Sequence, residues 1–273
     1  MNERCFSLAA LTVLELSPPE MAEVAARAGY DRVGLRLIPA TPEEHHFPLI
    51  ADAALRRRTQ ARLRDTGIAV LDVEILRLRP ETDVACDFAA ALEVGAELGA
   101  SEVLVAGNDD DEGRLTDNFA ALCELAERFG LHPHLEFMPW TGVCDLSQAR
   151  RIVATANRPN AGLLVDAFHF EHSGSRLDEL AEVPRHWIRY AQLCDVAGPR
   201  PDSMDEIIRQ ARQARCFPGE GDIDLAGLLA VLPPDVPLSL EVPTQALRER
   251  GVSALERARG ALTASRRLLD IIC

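Results

Sequence analysis

The feature that most constrains this chain is a repeated handover in which an amphipathic helix ends on glycine and a short apolar run follows. Helices over residues 18–28, 51–66, 84–98 and 115–129 are predicted to stop at Gly29, Gly67, Gly99 and Gly130. Glycine suits that junction because the residue after a helix commonly adopts a left-handed backbone that a Cβ disfavours. Strands are predicted to follow at 32–37, 68–76, 102–106 and 132–137. The alternation continues with strands at 161–165, 188–193 and 237–242, helices over 146–155, 176–181, 203–214 and 225–232, and a last helix over 252–271. A first strand near 5–13 runs into "SPPE", where Ser17 can cap, Pro18 suits the first helical position and Glu20 completes a capping box. Eight such units in 273 residues predict one (β/α)8 TIM barrel domain over residues 1–273. An open doubly wound sheet is disfavoured, because no strand–G-x-G-x-x-G–helix unit occurs.

Composition narrows the function classes. The net charge is −14 and all 29 basic residues are Arg, so no basic face for a nucleic-acid backbone is expected. No run approaches the roughly 18 apolar residues of a membrane span. The start, MNERCFSLAALTV, lacks a small-residue cleavage site and reads as a strand rather than a leader. Seven Cys without a C-x-x-C pair read as reduced thiols of a cytoplasmic protein. A homo-oligomer is compatible with the sequence.

In barrels of this type the functional groups gather where strands end and βα-loops begin. "PHLEFMPW" puts Glu136 there, "GLLVDAFHF" puts Asp166, "RYAQLCD" puts Gln192 and "LSLEVP" puts Glu241. A lone acid at a strand end is often a helix cap or a salt-bridge partner. Four oxygen donors on consecutive strands, with neighbouring strands about 5 Å apart, can instead converge on one ion. Three carboxylates and an amide oxygen suit Mn²⁺ or Mg²⁺ better than Zn²⁺.

Two segments carry a family resemblance. "VDAFHFEHSG" is similar to the strand-six motif of the xylose-isomerase-like TIM-barrel superfamily, and "RCFPGEGDIDLAGLL" resembles its Arg-x-x-Pro-Gly-Glu-Gly segment. Relatives include hydroxypyruvate isomerase, tagatose 3-epimerase, inosose-pathway isomerases and dehydroshikimate dehydratase. The resemblance implies that Glu136, Asp166, Gln192 and Glu241 are metal ligands, and that His169 and Arg215 contact substrate or order the site. Gln192 stands where many members of the family have His, whereas the hydroxypyruvate isomerase and dehydroshikimate dehydratase relatives carry Gln. Gly34 replaces a common strand-two Glu, and His172 a frequent Arg.

Further candidates line the same end. Arg36 shares the parity of Gly34, Glu74 and Arg77 lie toward the end of strand three, and Trp140 can wall a sugar ring. An arginine near such a site suggests a carboxylate or phosphate on the substrate, its alternative role being an exterior salt bridge. His45 and His46 fall in a loop long enough to act as a lid, and His134 is expected to lie deeper, in the core. The chemistry expected of the site is polarisation of a carbonyl by the divalent ion, with Glu136 and Glu241 moving a proton through an enediolate. That predicts an isomerase or epimerase of a small sugar, sugar acid or hydroxyketone. The alternatives are a lyase of the dehydroshikimate dehydratase type and a sugar-binding barrel without catalysis.

Overall fold

The computed structural model describes residues 4–272. The eight strands are β1 (Phe6–Leu8), β2 (Arg32–Arg36), β3 (Ala69–Leu78), β4 (Glu102–Gly107), β5 (His132–Glu136), β6 (Gly162–Asp166), β7 (Ala191–Leu193) and β8 (Leu238–Leu240). They pair in parallel in chain order, and β8 pairs with β1 to close the barrel. Around them run α1 (Pro18–Ala28), α2 (Ala53–Thr66), α3 (Val84–Glu97), α4 (Glu112–Glu127) and α5 (Leu146–Ala156). The second half adds α6 (Ala167–Ser173), α7 (Leu177–Ala181), α8 (Met204–Gln213), α9 (Leu225–Val231), α10 (Gln245–Glu249) and α11 (Ala254–Ile272). Among the described residues no helix is long and apolar enough to cross a membrane.

Local chemistry sets the junctions. Glu20 accepts from the Ser17 amide at 2.9 Å at the start of α1. At its end, Gly29 takes φ 98° and donates to Ala25 O at 3.0 Å. Asp52, Asp83, Asp111, Asp145 and Asp224 each accept a backbone N–H at the start of α2, α3, α4, α5 and α9. Such caps satisfy helix amides that otherwise lack partners, each worth about 1 kcal/mol. Between strands and helices lies a continuous apolar layer that includes Val33, Leu92, Phe119, Ile152 and Leu262.

The first strand is shorter than expected. Only Phe6–Leu8 pairs, and Ala10–Val13 form a 3-10 turn. There Thr12 Oγ1 donates to Leu240 O at 2.8 Å and accepts from Val242 N at 2.8 Å, replacing the strand ladder with a side chain. β7 and β8 are likewise trimmed to three residues each, and β3 runs on to Leu78. The segment directly after β6 forms the helix α6, whose first turn Asp166 caps.

The barrel interior is unusually polar for a core. A small apolar cluster of Leu71, Ile75, Leu104, Ala106, Met138, Leu164 and Tyr190 fills part of it. Ser7, Asp72, Glu102, His134 and Ser239 are also buried. His134 lies deep, as expected, with Nε2 2.6 Å from Glu102 Oε2. It fits because Gly162 has no side chain: a Cβ there would stand 2.2 Å from His134 Nδ1.

Candidate active site

The strand ends deliver their acids to one rim. Glu136 ends β5, Asp166 ends β6, Gln192 lies within β7 opposite Asp166, and Glu241 follows β8 directly. All four side chains are buried. Asp166 resolves two readings at once, because its two oxygens do different things. Oδ1 accepts from the His169 amide at 3.0 Å and caps α6, while Oδ2 takes Arg215 Nη1 at 2.7 Å.

Arg215 organises one side of the site. Besides Asp166 it holds Glu241 Oε2 through Nη2 at 2.9 Å, and its Nε donates to Ala211 O at 2.9 Å. Gln192 Nε2 donates to Glu241 Oε1 at 3.2 Å. On the other side His169 Nε2 lies 3.8 Å from Glu136 Oε1, and Trp140 meets the His169 ring edge-on at 5.0 Å. His172 stacks on Phe168 at 3.9 Å and lies behind the site, held by Phe168 O.

Burial, then the charges of Asp166 and Glu241, push the Glu136 carboxyl well above its ordinary range. Burial likewise raises Glu241 to about 7, against the pull of Arg215. Burial would raise Asp166 as well, but Arg215 and then His169 outweigh it and hold that carboxyl low. Burial lowers His169 to about 3 despite Asp166, so its ring is neutral.

The four oxygen donors do not point at a single centre. Among the described residues no three His, Cys, Asp or Glu side chains stand close enough together to hold a metal ion. Asp166 and Glu241 are both engaged by the Arg215 guanidinium. The donors nevertheless fit a hard cation. Glu136 Oε1 and Gln192 Oε1 are both buried with no hydrogen-bond partner, a costly state that a cation would relieve.

Above this cluster lies a cavity of about 280 Å³ whose wall includes Arg36, Glu74, Trp140, His169, Arg215, Glu136 and Glu241, near the lower end of small-ligand sites. Of the acids and substrate-binding residues named from the sequence, Glu136, Glu241, Arg36, Glu74, Trp140, His169 and Arg215 line it, whereas Asp166 and Gln192 do not. Glu74 does not stand free: it pairs with Arg36 at 3.4 Å, and Arg36 also meets Glu44 at 3.3 Å. His45 and His46 are exposed and line a separate hollow with Phe47.

Sequence reasoning missed Glu44, Asn108 and Asp72. Asn108 directly follows β4, so the rule that found Glu136 would have found it. Asp72 shares the parity of Glu74 in "LDVEIL", a signal that was legible. Glu44 sits in an irregular loop and gave none.

Comparisons with known proteins agree with this geometry. A family model described as "Xylose isomerase-like TIM barrel" matches residues 22–268. A 3-dehydroshikimate dehydratase of Pseudomonas putida is 30% identical over 240 residues, covering 82% of this chain and 36% of that enzyme. The chain therefore spans about a third of the length of that relative. An inosose isomerase of Bacillus velezensis is 27% identical over 243 residues, covering 84% of this chain and 82% of that one. Among solved structures, a xylose isomerase-like TIM barrel/4-hydroxyphenylpyruvate dioxygenase fusion protein superposes with a TM-score of 0.81 at 26% identity, covering 96% of this chain and 42% of that one. The IOLI protein, solved with a bound zinc atom, gives 0.77 at 23% identity, covering 98% of each chain.

Proposed function

We infer the reaction class from a plain premise: the chain belongs to the xylose isomerase-like TIM-barrel family. Its curated relatives are isomerases and dehydratases, and both chemistries can begin by taking a proton from the carbon beside a carbonyl. We propose that this chain does the same to a small polyhydroxylated carbonyl compound and returns the proton to carbon, as an isomerase or epimerase. The observation that carries the reading is the gathering of Glu136, Asp166, Gln192 and Glu241 at successive strand ends beneath one cavity.

A divalent ion held by those four side chains would supply Lewis-acid polarisation of the substrate carbonyl. Glu136 and Glu241 approach the cavity from different strands, so one can take the proton and the other can return it. Asp166 and Arg215 hold each other in place and fix the orientation of Glu241. His169, neutral and packed on Trp140, offers a hydrogen bond to a substrate hydroxyl. Trp140 and Met138 give the cavity an apolar wall that excludes water from the reacting carbon.

The Pseudomonas putida relative supports a second reading, loss of water from a β-hydroxy ketone by a lyase. Turnover in D₂O with Mn²⁺ separates the two. An isomerase places deuterium beside the carbonyl of a ketose, inosose or hydroxypyruvate. A dehydratase instead builds an ultraviolet-absorbing product from dehydroshikimate. Absence of both signals across these substrates would overturn the proposed chemistry.

A further inference from the structure

Two of the arginines that line the cavity are matched by carboxylates. Arg36 is matched by Glu44 and Glu74, and Arg215 by Asp166 and Glu241. Arg77 also lines the cavity, yet among the described residues no carboxylate lies within 4.0 Å of it. Its one hydrogen bond runs from Nη1 to Asn108 Oδ1 at 2.9 Å, and its Nε is buried without a partner. A guanidinium has five N–H donors and keeps its charge in proteins. A largely buried one with a single neutral partner is costly unless something else supplies the counter-charge. Burial, with Arg36 next, lowers Arg77 to about 10, although the charge of Glu136 pulls the other way.

Position says what could supply it. Arg77 of β3 and Glu136 of β5 both pair with Ala106 of β4, so they stand two strands apart on the same rim. That separation is roughly 10 Å between Cα atoms. Ile75, Leu104 and Met138 line the cavity as well, and Arg212 stands exposed at its edge. A compact ligand whose carbonyl faces Glu136 thus carries its opposite end to Arg77.

We propose that Arg77 is the specificity residue of a carboxylate subsite, and that the natural substrate is a small hydroxylated oxo acid rather than a neutral sugar. Asn108 holds the guanidinium so that its unused N–H groups face the ligand. The inference rests on the reading of this cavity as the substrate site, but it is tested by binding alone.

Calorimetry on the Mn²⁺-loaded chain would compare shikimate, its uncharged methyl ester and fructose 6-phosphate. The native chain should bind shikimate about 10- to 100-fold more tightly than the ester, the worth of a charge-assisted pair. Arg77→Met should erase that ratio, the acid losing more affinity than the ester. Asn108→Asp, which gives Arg77 an internal carboxylate, should shrink the ratio as well and decides the matter if Arg77→Met does not fold. No preference for the acid in the native chain, an undiminished ratio in a folded Arg77→Met, or tighter binding of the phosphate would each overturn the proposal. An Arg77-dependent preference without deuterium exchange or ultraviolet product would leave the subsite standing and remove the reaction. Turnover without the preference would remove the subsite alone.

Discussion

The carboxyl of Asp72 occupies the space that a side chain at Gly34 would need: a Cβ at Gly34 would stand 2.6 Å from Asp72 Oδ1. The two residues are register partners on β2 and β3. An acid from the neighbouring strand thus fills the space beside Gly34. Burial, then Glu74 and Glu241, raise the Asp72 carboxyl well above its ordinary range.

Gly34→Ala should therefore destabilise the chain by about 1–3 kcal/mol, as overpacking of a filled interior does. Asp72→Ala should relieve the clash, so the double variant should lose less than the sum of the two single losses. Denaturant unfolding of the four proteins measures the coupling. Strict additivity would show that Asp72 and Gly34 do not compete for one space.

The purified chain should take up about one divalent ion, Mn²⁺ or Mg²⁺, through Glu136, Asp166, Gln192 and Glu241. Asp166→Ala should weaken that binding in calorimetry, and a chelator should lower the melting temperature of the native chain but not of the variant. Unchanged affinity in Asp166→Ala would remove that residue from the ligand set.

Glu136→Gln and Glu241→Gln keep an oxygen donor while removing the proton acceptor. Each should retain much of the metal and lose roughly 10²–10⁴-fold in turnover. Activity near the native level in both variants would exclude them as the proton-transfer pair.

At the opposite end of the barrel Glu102 meets His134 at 2.6 Å and Arg189 at 3.0 Å. Burial alone would raise its carboxyl, but His134 and then Arg189 outweigh it and hold Glu102 at about 2 against an ordinary 4.5. A depressed acid contributes stability above its unfolded pKa and loses that contribution as pH falls through the folded value. Up to about 3 kcal/mol should disappear between about pH 4.5 and 2. Glu102→Gln should lower stability at pH 7, and its deficit should shrink toward pH 2. A deficit independent of pH would show that the pair contributes through packing alone.

The barrel and its rim of acids were legible because their signals are local. A glycine after a helix, an Asp before one and an apolar run of a few residues each act within a turn of chain. Glu136, Asp166, Gln192 and Glu241 could be placed at one height because strand parity alone assigns a face. The trimmed first strand was less legible, since Thr12 replaces the ladder by bonding to Leu240 and Val242 at the far end of the chain.

The sequence by itself determined eight strand–helix units, their order, and four oxygen donors at the ends of strands five to eight. Only the tertiary structure decided what those donors face. Arg215 reaches Asp166 from 49 residues away, Asp72 enters the space left by Gly34, and among the described residues no carboxylate lies within 4.0 Å of Arg77. Periodicity fixes which side of a strand a residue takes. The partner it meets there depends on barrel closure and on the packing of distant side chains, and neither is encoded within any one segment.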